Sequence, residues 1–317
     1  MTSGPTGVLL MTFGSAVTAD DVPAYLASVR GGTEAPADVV AEFRHRYQRI
    51  GRSPLIDITH AQADALQGEL DRRHGAGSHR VAVGMQHLRP SISDAADQLV
   101  SAGASTIHAI VLAPQYSPII LAGYERAVEA ARQRHPTVTF RVAGAWHLTT
   151  AWIGSLVERL NDVLAQLPAA QRGTVPIIFT AHSLPRRVVD RDPAYIEQLI
   201  DTAKAVAART SLDQRRWQFA YQSAGHTPEE WLQPDVKDLL PQLREQEVTD
   251  VVIVPLQFLA DHLEILYDID VAARDEADFA GIRMHRIQMP NTSPTFIGAL
   301  ADVVEREAAA SGVVTGP

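Results

Sequence analysis

The chain contains no cysteine. Disulfides, thiolate nucleophiles, cysteine-held zinc and cysteine-ligated iron–sulfur clusters are therefore excluded. No apolar run approaches the ~18 residues that a membrane-spanning helix needs, so none is expected. The opening stretch MTSGPTGVLLMTFGS has no basic flank before its short apolar run and lacks the form of a secretory signal. Basic residues are in deficit, 28 Lys and Arg against 37 Asp and Glu, for a net charge of −9. A chain of that sign is not built for nonspecific nucleic-acid binding, although a local basic pocket for an anionic ligand is compatible with it. The glycine-rich dinucleotide and phosphate loops, the H-E-x-x-H zinc motif and the G-x-S-x-G nucleophile elbow are all missing. The expectation is a cytoplasmic protein outside the nucleotide-enzyme and serine-hydrolase classes.

What is present is ample apolar material, 46% of 317 residues, with charged residues at 21% and no low-complexity tract. Short apolar runs rich in β-branched residues alternate with amphipathic stretches. Strands are predicted near 7–13, 80–85, 106–112 and 138–143, then near 175–180, 217–222, 250–258 and 282–287. Helical patterns lie at 19–30, 36–49, 59–73, 90–102, 194–209, 235–246 and 294–309. Such alternation predicts βαβ units and parallel sheet. The expected fold is α/β: two Rossmann-like lobes, each a four-stranded parallel sheet flanked by helices, with a cleft between them. The lobes are expected at 1–147 and 148–317, with the last helix packing back across them. The runs VLLMTFGS and PIIFTAHS rhyme, both breaking into a turn that ends in serine.

Three constellations carry candidate chemistry. In FTAHSLPRR, residues 179–187, an apolar strand ends in His182, followed by Ser183 and a proline. Open α/β sheets place ligands at the carboxyl ends of their strands. A histidine there is either packed with one satisfied hydrogen bond or available as ligand or base. In FLADHLEILYDID, residues 258–270, Asp261, Glu264 and Asp268 stand at i, i+3 and i+7, one face of a helix. They form either a capping box with a solvated acidic turn or a stripe that attracts a divalent cation. In the first half, Arg30, Arg46, Tyr47 and Ser53 cluster around RHRYQRIGRSPL, and Tyr124 follows in LAGYER. These side chains make either a basic helix face ended by a turn or a set of donors for carboxylates. Met11 and Phe13 suit a core or a pocket wall, His87 is a weaker strand-end candidate, and Trp231 is assigned to packing.

Taken in order, GVLLMTFGS, YQRIGRSPL, LAPQYS, FTAHSLP, YQSAGHTPEEWLQPDV and VPLQFLADHLEILYD resemble the ferrochelatases over nearly the whole chain, closest to the short bacterial coproporphyrin III ferrochelatases. The resemblance implies insertion of Fe2+ into a free porphyrin with release of two protons, in haem biosynthesis. It implies that His182 and Glu264 bind the metal and handle protons, and that Asp268 is an outer metal-site carboxylate. It places Arg30, Arg46, Tyr47, Ser53, Tyr124 and Phe13 at the porphyrin and its propionates. It implies no resident cofactor, Fe2+ and a porphyrin as partners, a monomer, no membrane segment, and transient handover to a downstream haem-pathway enzyme. Protoporphyrin IX is the alternative substrate, and a non-catalytic tetrapyrrole carrier or a cobalt or nickel chelatase are the alternative functions. Two departures stand out. Phe13 replaces a tyrosine that in some members ligates product iron, and Ala272 replaces a carboxylate that extends the acidic line.

Overall fold

The computed structural model describes residues 4–225 and 228–312. The ends of the chain, and His226 and Thr227 of the YQSAGHTPEEWLQPDV stretch, lie outside the described residues. The elements run β1 (Thr6–Thr12), α1 (Val22–Val29), α2 (Ala37–Ile50), α3 (Leu55–His74), β2 (His79–Met85), α4 (Ile92–Ser101), β3 (Thr106–Val111), α5 (Ala122–Arg134) and β4 (Thr139–Val142). They continue with α6 (Thr150–Gln166), α7 (Ala169–Arg172), β5 (Ile177–His182), α8 (Arg186–Arg191), α9 (Ala194–Arg209), β6 (Trp217–Gln222), α10 (Val236–Glu245) and β7 (Asp250–Pro255). A single turn α11 (Leu263–Leu266), a π-helical turn (Asp268–Ala273), α12 (Arg274–Phe279), β8 (Arg283–Arg286) and α13 (Pro294–Gly312) complete the chain. Among the described residues no helix is long and apolar enough to cross a membrane.

All eight predicted strands are present, in two four-stranded sheets of order β2-β1-β3-β4 and β6-β5-β7-β8. Every pairing is parallel. The α/β class read from the sequence is thus the observed one. Strands covered on both faces need apolar side chains at successive positions rather than alternating ones. Accordingly Val8, Leu9, Leu10 and Met11 in β1, and Val251 through Val254 in β7, are all fully buried. Leu9 and Met11 pack with Ile92, Leu99 and Val128 of α4 and α5. Ile178, Val251 and Ile253 pack with Leu240 and Leu243 of α10. Each such aliphatic side chain removed from water contributes ~1.5–3 kcal/mol. Helices α5 and α6, absent from the sequence reading, cover the sheets through faces centred on Val128 and on Trp152, Leu156 and Leu160.

The two sheets have the same strand order when each is numbered from its own first strand. The chain starts in an interior strand, adds a neighbour on one side, then crosses to the other. In both sheets the crossover puts a topological switch point beside the first strand's carboxyl end. The chain divides into two compact units, one running to Trp146 and resuming at Asn291, the other His147–Pro290. The residues from Asn291 onward, read from the sequence as the end of the second lobe with the last helix packing back, group with the first unit. The reason is α13, which lies against α3 and β3. Arg73 of α3 holds it through Asp302 at 2.7 Å and Glu305 at 3.1 Å.

Candidate functional site

His182 is the last residue of β5, at the carboxyl end where the second sheet has its switch point. Its main-chain N–H donates to Gln257 Oε1 at 2.9 Å. Its ring Nδ1 is hydrogen-bonded to the Ser183 carbonyl. A carbonyl only accepts, so that partner assigns the proton to Nδ1 and leaves Nε2 with a lone pair when the ring is neutral. Nε2 faces Glu264 Oε2 across 3.7 Å. That separation is longer than a hydrogen bond. Both side chains are partly open, at 26% and 35% exposure, which a group that exchanges protons or metal needs.

Glu264 brings a second imidazole. His262 Nε2 lies 3.7 Å from the same Oε2, and its Nδ1 is bonded to the Ala260 carbonyl at 3.1 Å. That carbonyl likewise assigns the His262 proton to Nδ1, so the Nε2 atoms of two imidazoles each lie 3.7 Å from one carboxylate oxygen. Imidazole and carboxylate groups are proton acceptors and are ligand types that borderline divalent metals take. Among the described residues no group of three or more histidine, aspartate or glutamate side chains is placed to hold a metal ion. The ring of Phe258 packs against His262 with centroids 4.5 Å apart, and Trp231 stands 6.4 Å from the His182 ring. A Cβ at Gly225 would fall 2.4 Å from the Trp231 ring, so glycine is required where that loop passes.

Residues 258–270 do not form the single helix face that their spacing predicts. His262 is extended, at φ −160°, and the helix starts only at Leu263. Asp261 is no N-cap; its carboxylate meets Arg286 at 3.4 Å, which also clasps Asp270 at 2.7 and 2.8 Å. Asp268 opens the π-helical turn and accepts from Ser223, which holds a positive φ of 61°. His262, which helical spacing does not mark, comes beside Glu264 where the chain turns from extended backbone at His262 into the helix at Leu263.

The first-half candidates divide into smaller groups. The Tyr47 hydroxyl is 2.9 Å from Ser15 Oγ, and Ser15 donates to Ser53 Oγ at 3.2 Å; all three residues are buried. Arg46 pairs with Glu42 at 2.9 Å and lies over the Phe43 ring. Arg30 is exposed at the end of α1, and Tyr124 is buried in α5. Phe13 is 40% exposed and its ring meets His87 edge-on at 4.4 Å. Burial holds the His87 ring below its ordinary pKa, against a raising contribution from Ser28. The structure thus joins Tyr47 to Ser53 through Ser15, and Phe13 to His87.

The strand registers relate Phe13 to His182. Leu112 N–H donates to Met11 O in the first sheet, and Leu256 N–H donates to Thr180 O in the second. Phe13 and His182 each follow two residues later. The serine-to-serine rhyme of the sequence is one residue out of step with this.

Two solved structures share the fold at 12% identity. SirB from Bacillus subtilis with Fe3+ matches over 97% of each chain with a TM-score of 0.63. CbiX, described as the terminal enzyme for siroheme biosynthesis in denitrifying bacteria, matches over 95% of this chain and 98% of its own with a TM-score of 0.55. The architecture is that of the metal chelatases. The family model described as Ferrochelatase matches residues 5–308, and the chain belongs to that family. A protein named ferrochelatase from Deinococcus radiodurans is 37% identical, covering 96% of each chain. One named coproporphyrin III ferrochelatase from Geobacillus kaustophilus is 35% identical over 96% of this chain and 97% of its own. The protein is a metal-chelating enzyme of the lyase class, acting on porphyrin and iron in haem biosynthesis.

Proposed function

We propose that this chain inserts Fe2+ into coproporphyrin III, giving iron coproporphyrin and two protons. The observation that carries the chemistry is the fixed tautomer of His182, whose Nε2 lone pair faces Glu264 across 3.7 Å. Two pyrrole N–H bonds must break as two of the four iron–nitrogen bonds form in their place. Neutral His182 accepts a pyrrole proton at Nε2, and the Glu264 carboxylate stabilises the resulting imidazolium and passes the proton on. His262, against the same carboxylate oxygen, extends that relay. Imidazole and carboxylate also hold ferrous iron while its waters leave, without the grip of thiolates. Asp268 is proposed as an outer carboxylate for the incoming ion. Arg30, Arg46, Tyr47, Ser53, Tyr124 and Phe13 are proposed as porphyrin contacts. No resident cofactor is needed, and the absence of cysteine rules out a cysteine-held cluster. We further propose a cytoplasmic monomer that hands its product onward.

The choice of coproporphyrin over protoporphyrin is supported by the relatives named for that substrate. The test is anaerobic Fe2+ insertion followed by absorbance, with coproporphyrin III and protoporphyrin IX side by side, for wild type and His182→Ala. Faster turnover of coproporphyrin, reduced at least ~100-fold in the variant, is expected. Preference for protoporphyrin would overturn the substrate alone. Porphyrin binding without insertion in the wild type would make the protein a carrier.

A further inference from the structure

One buried side chain touches both segments that carry the reacting pair and has no role in the chemistry above. Gln222 ends β6 and is 1% exposed. It is the register partner of His182 across the β5–β6 pairing. Its main-chain carbonyl accepts from the Ser183 N–H at 2.7 Å. Its side-chain Oε1 accepts from the Thr180 hydroxyl at 2.7 Å, two residues before His182. Its side-chain Nε2 donates to the main-chain carbonyl of Glu264 at 3.0 Å.

We propose that Gln222 is the positioning residue that sets Glu264 against His182. The chemistry of the side chain supports this. The Glu264 carbonyl demands a donor and the Thr180 hydroxyl can give its proton to an acceptor, so one neutral primary amide satisfies both. The carbonyl partner also fixes which end of the amide is nitrogen. A carboxylate would lack the donor, and an aliphatic side chain would lack both groups. The grip falls on main chain, so the imidazole and carboxylate stay available for proton and metal. It also falls where regular structure gives least support. Glu264 lies in a four-residue turn, between extended His262 and the π-helical turn from Asp268. Without Gln222 the segment from β7 to α12 loses a strut to the strand that carries His182. Catalytic rates fall steeply when reacting groups drift by even an ångström.

This inference rests on the reading of His182 and Glu264 as the reacting pair. The experiment is a double-mutant cycle in anaerobic Fe2+ insertion, using Gln222→Met, Glu264→Gln and the double variant, with His182→Ala as control. Gln222→Met is expected to lower kcat about tenfold while porphyrin KM stays within about twofold. In the Glu264→Gln background the same change is expected to cost less than about twofold, because the residue it positions no longer acts. An equal loss in both backgrounds, or no loss in either, would overturn the proposal. If Gln222→Met fails to fold, Thr180→Val removes the other end of the strut and the cycle is read with it. Full activity in His182→Ala and Glu264→Gln would instead sink the reacting pair. Impaired pair variants beside a Gln222→Met enzyme of wild-type kcat would sink only the role of Gln222.

Discussion

At the scale of single residues, the backbone decides what the histidines can do. His182 and His262 each spend Nδ1 on a main-chain carbonyl and turn Nε2 towards one Glu264 oxygen. In the proposed relay His262 does more than fill space beside Phe258. Replacing it with alanine removes one basic nitrogen from the relay without touching the porphyrin contacts proposed in the first half. His262→Ala is expected to lower kcat by ~10–100-fold and leave porphyrin KM nearly unchanged, in steady-state insertion assays. A rise in KM with kcat intact would make it a binding residue instead. The sequence marks His182 because a polar residue closing an apolar strand is conspicuous. It hides His262 because helical spacing pairs Glu264 with Asp261, three residues back, whereas the chain is extended at His262 and enters the helix only at Leu263.

At the scale of elements, periodicity makes the strands legible and leaves their ends and partners open. All eight are found from apolar runs, because strands covered on both faces carry little else. The run at 258–270 misleads because a helical pattern presumes a constant turn angle. Extended His262 breaks that angle before Leu263, and the π-helical turn breaks it again from Asp268, as the i+5 bond from the Ala272 N–H to the Tyr267 carbonyl at 2.8 Å records. Ion pairing across strands is equally illegible. Asp250 of β7 accepts two bonds from Arg283 at 2.9 Å and one from His285 at 2.9 Å, joining the ends of β7 and β8. The Arg283 bonds hold its carboxyl well below the usual range, overcoming burial, which acts the other way. A carboxyl depressed on folding contributes stability that is complete above its unfolded pKa and is lost as pH falls towards the folded value. Asp250→Asn is expected to cost about 2 kcal/mol at neutral pH, since Arg283 remains well hydrated. The gap between variant and wild type should shrink as pH drops below about 4, in urea titrations repeated across pH. A gap that stays constant would mean that the charge on Asp250 is irrelevant to the joint.

At the scale of the whole molecule, the chain is not two halves laid end to end. The repeat of strand order invites a cut at the midpoint, yet α13 returns to the unit that holds the first sheet. Its apolar positions Phe296, Leu300, Val303 and Val304 are fully buried. Arg73, with Glu69 beside it, anchors the helix through Asp302 and Glu305. Burial of four such side chains is worth ~6–12 kcal/mol by area, comparable with the ~5–15 kcal/mol that a whole domain has to spare. A chain stopped at Pro290 should therefore lose the first unit, while residues 147–290 keep their complete sheet and both of its helical layers. Limited proteolysis of the shortened chain is expected to leave a fragment close to 147–290, and that fragment made alone should melt cooperatively by circular dichroism. Survival of residues 4–146 in the shortened chain would show that α13 is dispensable to the unit it packs on. Loss of both units together would show that the second does not fold without the first.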